Sequence, residues 1–365
     1  MGPGQGALPR FAAAIAGVVA AIVLLEIVAR LVLPPTPQQV LRGLHRATPD
    51  RPWLYELKPN EERHAAAAGG VVYATNADGF RDHAHARDKP QGTFRVVVLG
   101  DSVSFGYGVA LEATFVKQLE SRLQGLAAGP RFEVLNLGVS GYNPYTEAEL
   151  LRGVALAYEP DLVLVQFCIN DLNDPTQHFD TSTMLALGAI PDEAFPDPGR
   201  RKAPAPAAVA GRIEVACGYS RLCGLLAAAL TPAPAREDQV AALVPHEDPS
   251  SAEIAWLERL YTRMASDTRA RGGELAVVVF PYETQLEEDS PSAVQDELRA
   301  LGVRAGVPVI DLLPVFRRAS AEPGERLFLD MWHPSPRGQQ VAAKEILRAL
   351  ACARLLPGVD ARCAD

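Results

Sequence analysis

The serine at position 102 stands directly behind a near-continuous apolar run, FRVVVL (Phe94–Leu99), inside the stretch GDSVSFGYG from Gly100 to Gly108. Leaving a buried strand through Gly, Asp and Ser suits three chemistries: a phosphate loop, a helix cap or a nucleophile. A dinucleotide fingerprint needs G-x-G-x-x-G, whereas the glycines here fall at 100, 106 and 108. A phosphate loop needs G-x-x-x-x-G-K-[ST], and neither the spacing nor the lysine is present. What remains is a serine held in a tight turn at the mouth of a helix. Free backbone N–H groups and the helix dipole favour an anion there.

A serine hydroxyl attacks only when a base takes its proton. Of the seven histidines, His45 lies in a tether-like segment, His64 and His246 in loop-like segments, His83 and His85 in a polar extension, and His178 in a Pro-rich interruption. His333 belongs to LFLDMWHPSPRG, three residues after Asp330 and just before the last helical pattern. That spacing lets a carboxylate accept from the imidazole and fix its tautomer. A helix start capped by Asp330 is the alternative. Acyl transfer also needs donors aimed at a developing oxyanion. In NLGVSGYN both Gly138 and Gly141 permit close backbone approach, and QFCINDLND presents Asn170, an uncharged donor that could equally be a turn former.

These residues need a scaffold that delivers them to one edge. Apolar runs at Phe94–Leu99, Phe132–Leu137, Leu162–Phe167, Leu275–Phe280 and Val307–Ile310 predict parallel strands covered on both faces. Helical patterns at Thr114–Leu126, Tyr145–Tyr158, Ser251–Arg271, Ser292–Ala305 and Pro336–Leu356 alternate with them, the last with Ser335 as N-cap and Pro336 at its first position. The alternation predicts a three-layer α/β/α sandwich. In such a sheet ligands bind outside the carboxyl ends of the strands, where Ser102, Gly141 and Asn170 all fall. The proline in VPVI predicts a strand that lies near an edge or starts irregularly.

The chain divides into residues 1–33, a tether and N-terminal extension at 34–93, a main domain at 94–356 and a tail at 357–365. Residues 171–250 form an excursion rich in Pro, Ala and charge, with a helical, apolar piece at 219–230. From Phe11 to Leu33 only Glu26 and Arg30 are charged, and their spacing of four lets them pair on a helix. We expect a single membrane anchor in contact with the lipid bilayer; a buried helix and a cleaved signal peptide are the alternatives, though the region before Pro34–Pro35 lacks a small-x-small cleavage site beyond the apolar core. The five cysteines fit two pairs, Cys217 with Cys223 and Cys352 with Cys363, beside a buried Cys168; scattered free thiols fit nearly as well. No Cys/His cluster has metal-ligand spacing, so neither metal nor cofactor is expected. A net charge of −9, with Arg200, Arg201 and Lys202 the one small basic spot, offers no field for nucleic acid.

GDSVSFG, SGYN, IND and DMWH, in this order and spacing, resemble the four sequence blocks of the SGNH/GDSL hydrolase superfamily. The resemblance runs from about Phe94 to Leu350, with the excursion unmatched. It implies a flavodoxin-like sandwich and a serine hydrolase acting on esters, in some branches on thioesters or O-acetylated carbohydrates. Ser102 matches the nucleophile, and Asp330 and His333 the other triad members. The implied oxyanion donors are the backbone N–H groups of Ser102 and Gly141 and the side chain of Asn170. Cys168 departs from the pattern by standing where a glycine is usual. The anchored layout and the NADGFR segment (Asn76–Arg81) also resemble bacterial membrane-associated members. This implies a single-pass protein of the cytoplasmic membrane with its catalytic domain outside. The expected substrate is a small-molecule or glycan ester. An O-acyltransferase, with a sugar hydroxyl replacing water, and a non-catalytic surface binding protein are the competing readings.

Overall fold

The computed structural model describes residues 7–33, 37–48, 51–53, 55–65, 70–126, 129–172, 220–223, 249–287 and 290–359. The apolar N-terminal run forms α1 (Ala7–Val32). Within it, the 22 residues Phe11–Val32 have a mean hydropathy of 2.6 and are long and apolar enough to cross a membrane. Protein covers almost none of this surface: Phe11 is 71% and Leu31 81% exposed. Arg30 Nε donates to Glu26 Oε1 at 2.7 Å, the expected pair. Glu26 also accepts from Ser220 Oγ and from the backbone N–H groups of Arg221 and Leu222.

Residues 37–48, expected within a tether, instead form α2 (Pro37–Leu44) and β1 (His45–Ala47). Val40 and Leu44 lie four apart on one helical face, and both are buried in the main core. β1 pairs antiparallel with β2 (Tyr55–Leu57), and β3 (Glu62–Ala65) with β4 (Val71–Ala74). Trp53, Tyr55, Leu57, Tyr73 and Phe80 join the same apolar cluster as the residues beneath the central sheet. The extension thus packs on the sheet domain and shares its core.

The central sheet is built from β5 (Thr93–Leu99), β6 (Arg131–Asn136), β7 (Leu162–Phe167), β8 (Glu274–Val279) and β9 (Val309–Asp311). Their spatial order is β6-β5-β7-β8-β9, and every pairing is parallel. Numbered within the sheet, this is 2-1-3-4-5, the flavodoxin-like order with its switch point between β5 and β7. Side chains alternate across β5: Val97 and Leu99 face one apolar cluster, Val96 and Val98 the other. Each such fully buried side chain contributes about 1.5–3 kcal/mol. β9 lies at the sheet edge, as its proline predicts, but starts after Pro308 because a residue without an N–H cannot donate to the ladder.

The nucleophile candidate opens α3 (Ser102–Phe105), followed by α4 (Phe115–Gln124), α5 (Pro144–Gly153), α6 (Ser251–Arg269), α7 (Ala293–Ala305), α8 (Leu313–Ala321) and α9 (Pro336–Cys352). α5, α6 and α7 cover one face of the sheet with Leu151, Leu257 and Leu298, while α4, α8 and α9 cover the other with Leu119, Phe316 and Ile346. This is the three-layer sandwich. Local chemistry agrees with the predicted helix starts. Thr114 caps α4 and Ser335 caps α9. Ser250 caps α6 reciprocally with Glu253. Cys223 and Cys352 are disulfide-bonded, whereas Cys168 is a buried thiol. Cys217, Cys363 and nearly all of the 171–250 excursion lie outside the described residues, as do Arg200, Arg201, Lys202, His178 and His246.

Candidate active site

Ser102 is the first residue of α3, at the carboxyl end of β5, and only 9% exposed. Its turn is held from below. Asp101 accepts the Val103 N–H through its side chain, at 2.8 Å. Gln166, from β7, accepts from the backbone N–H groups of Asp101 and Ser104 (3.2 Å each) and from Ser104 Oγ (3.0 Å). Asn136, from β6, donates to Ser104 O at 2.7 Å. A Cβ on Gly100 would stand 2.4 Å from Gln166 Oε1, so the close approach requires glycine there.

The far end of α3 is tied down by the extension. The Arg81 guanidinium, almost wholly buried, donates to the carbonyls of Phe105 (2.8 Å), Gly106 (2.7 Å) and Val109 (2.7 Å) and, more weakly, to Val72 O (3.2 Å). Burial draws its pKa down to about 10, against the opposing charge interaction with Tyr73. The arginine of NADGFR therefore braces the turn that carries Ser102. Nothing in the NADGFR sequence itself marks this role, because the carbonyls that Arg81 binds lie 24–28 residues away.

His333 reaches Ser102 from a loop 231 residues away, with Nε2 2.9 Å from Ser102 Oγ. Its Nδ1 lies 2.8 Å from Asp330 Oδ2 and 2.9 Å from Oδ1. The same carboxylate accepts the backbone N–H groups of Trp332 and His333, both at 2.9 Å. The loop is closed on itself by Leu329 N–H to His333 O (2.8 Å) and Ser335 N–H to Leu327 O (2.8 Å). Burial alone would raise the Asp330 pKa. The hydrogen bonds and charge of His333, with the two backbone donors, outweigh it and hold the carboxyl below its usual value. Asp330 is still 45% exposed, against 15% for His333. Serine, imidazole and carboxylate thus form one continuous relay.

The other site residues fall at the neighbouring strand ends. Gly141 lies in the loop between β6 and α5 with φ +85°, a left-handed conformation that glycine adopts without strain. That loop runs alongside β5 through Val139 N–H to Gly100 O, and Tyr55 of the extension donates to Ser140 O. Gly138 serves packing: a Cβ there would meet Phe105 N and Ser104 Cβ at 2.6 Å. Asn170 sits in the 3-10 turn Ile169–Leu172, immediately after β7 and across the switch point from Ser102. Cys168 opens that turn, fully buried, its N–H donating to Asp171 Oδ2 at 2.9 Å.

Near the Ser102 turn lies a set of buried acids that the sequence did not reveal. Glu147 and Asp171 are at most 1% exposed, and among the described residues both Glu147 carboxyl oxygens, Asp171 Oδ1 and the Tyr261 hydroxyl have no hydrogen-bond partner. Burial raises the Glu147 and Asp171 pKa values well above the carboxyl range; Asp101 adds to both, and Glu147 to Asp171. Glu147 read as one polar position in a helical pattern, so nothing in its spacing marked it. Gln166 did carry a signal, as the lone polar residue of LVLVQF.

A model of the GDSL-like lipase/acylhydrolase family matches residues 98–341. Among solved structures, the chain is similar to LAE5, an alpha/beta hydrolase enzyme from the metagenome of Lake Arreo in Spain. The identity is 17% over 71% of this chain and 95% of that one, with a TM-score of 0.42. It is also similar to a catalytic mutant of Axe2, an acetylxylan esterase from Geobacillus stearothermophilus, at 14% identity over 70% and 94% of the two chains, again with a TM-score of 0.42. No curated protein matches the sequence.

Proposed function

The chain belongs to the GDSL-like lipase/acylhydrolase family and is an ester-hydrolysing enzyme; on that premise we propose that it cleaves carboxylic esters through an acyl-enzyme on Ser102. The observation that carries this reading is the relay from Ser102 Oγ through His333 to Asp330, at 2.9 and 2.8 Å. His333 Nε2 takes the serine proton as Oγ bonds to the acyl carbon. The C–O bond to the alcohol then breaks, and the same nitrogen protonates the leaving oxygen. Water repeats the sequence and frees the serine.

The oxyanion falls to the N–H groups of Ser102 and Gly141 and to the Asn170 side chain. The strand ends support this assignment, because the turns after β5, β6 and β7 are adjacent. A neutral amide strengthens its hydrogen bond as negative charge forms, without adding a full charge beside the histidine. Asn170→Ala is expected to lower kcat about 10²–10³-fold, with little change in KM and an unchanged circular dichroism spectrum. Activity within a few-fold of wild type would remove Asn170 from the site.

Helix α1 anchors the enzyme in the cytoplasmic membrane, and the catalytic domain faces the outside. A signal sequence would share the length and apolarity of α1. The lack of a small-x-small site between the apolar core and Pro34–Pro35 favours the anchor. The disulfide-bonded Cys223 and Cys352 support an oxidising compartment. Carbonate extraction is expected to leave the full-length chain in the membrane pellet, and deletion through Leu33 to release it. Intact full-length protein in the carbonate supernatant would contradict the anchor.

The substrate is sought with the detergent-solubilised enzyme on acetyl, butyryl and longer p-nitrophenyl esters and on O-acetylated glycans, each with and without a sugar acceptor. Release of free acid from short acyl esters is the expected result. Acyl transfer to the sugar in preference to water would make the enzyme an O-acyltransferase.

A further inference from the structure

The Tyr107 ring lies against the His333 imidazole, with centroids 4.1 Å apart and planes inclined by 33°. Resting on the acyl-enzyme reading above, we propose that Tyr107 is the positioning residue for His333 in the second half of the reaction, when the acyl-enzyme is hydrolysed.

Two side chains hold the imidazole by its edges. Before acylation its two nitrogens are bound at opposite edges, Nδ1 to Asp330 and Nε2 to Ser102 Oγ. Acylation turns Oγ into an ester oxygen. The hydroxyl hydrogen is gone, and the Nε2 tie to the serine goes with it. At that stage the ring must accept a proton from water instead, with its plane and direction unchanged. Among the described residues its remaining side-chain hydrogen bond is to Asp330, a loop carboxylate that is 45% exposed. One edge contact leaves the ring free to rock about that edge. A face contact removes this freedom, and Tyr107 supplies it.

The wall is itself well fixed. The Tyr107 N–H donates to Ser102 O at 2.9 Å, so the residue touching the base is tied to the residue carrying the acyl group. The next residue, Gly108, donates its N–H to Tyr73 Oη at 2.9 Å. Arg81 binds the carbonyls of Phe105, Gly106 and Val109 on either side. Misplacing a reacting group by about 1 Å costs on the order of 10²-fold, so a rocking imidazole in the acyl-enzyme would be visible in its rate of hydrolysis. Acylation, which starts from a doubly held ring, would suffer less.

In the hydrolysis step, the water oxygen bonds to the acyl carbon while one water proton passes to His333 Nε2. The bond from Ser102 Oγ to that carbon then breaks, and the proton is delivered to Oγ. The fraction of enzyme carrying an acyl group at steady state reports the balance of the two halves. It can be read by intact-mass spectrometry after acid quenching of the full-length enzyme turning over saturating p-nitrophenyl acetate. Tyr107→Leu is expected to raise the ratio of acetylated to free enzyme about tenfold, and to lower kcat while kcat/KM stays within about threefold. Tyr107→Phe keeps the ring and should restore the wild-type ratio. An unchanged ratio in Tyr107→Leu, or an equal loss in kcat and kcat/KM, would overturn the proposal and leave the acyl-enzyme reading standing. Turnover near the wild-type rate in Ser102→Ala would remove both.

Discussion

Ser102→Ala should abolish ester turnover, with kcat falling by about 10⁴-fold or more, while the folded structure persists. The size of the effect follows from the step removed: without Oγ there is no atom to bond to the acyl carbon, and the oxyanion donors and His333 are left around water alone. The fold should tolerate the change because the Ser102 side chain is not what holds its turn. Asp101, Gln166 and Asn136 do that through the backbone and Ser104. Circular dichroism and the melting temperature of the variant are therefore expected to match wild type. Turnover within tenfold of wild type would mean that the nucleophile lies elsewhere.

His333→Ala should be nearly as severe, and Asp330→Asn is expected to cost about 10⁴-fold in kcat by favouring the wrong imidazole tautomer. The pH profile tests the pair. Because Asp330 is held below the usual carboxyl range, it stays ionised as the pH falls through the range where imidazoles titrate. The acid limb of kcat/KM should thus show one ionisation, with activity rising as the base loses its proton. The stability linkage has the matching sign. A depressed carboxyl contributes above its unfolded pKa, and that contribution is lost as pH falls through the folded value. Most activity surviving His333→Ala would require another base.

Much of this arrangement was legible in the sequence, and for a physical reason. A strand buried on both faces must be apolar along its length, so FRVVVL and LVLVQF declare themselves without alternation. The Asp330–His333 pair is also local: the carboxylate, two backbone N–H groups and the imidazole meet within four residues. What joins His333 to Ser102 is topology, since the two are 231 residues apart. Helix α8 was not foreseen because its core contribution is slight, with only Leu313, Phe316 and Ala319 buried. Arg81 and Glu147 were missed for a different reason. Charged residues read as solvated surface by composition, and their burial depends on what the rest of the chain brings to them. For Arg81 these are carbonyl groups at the end of α3. For Glu147 they are complete burial and the nearby charge of Asp101.

The most direct test of the account is covalent. A fluorophosphonate probe reacts with a serine only where a base activates it and donors hold the developing oxyanion, the two properties assigned here to one site. The full-length enzyme should take up one probe per molecule, mapped by peptide mass spectrometry to Ser102. Labelling should vanish in Ser102→Ala and become very slow in His333→Ala. Labelling at another serine, or at Ser102 with equal speed in the absence of His333, would contradict it.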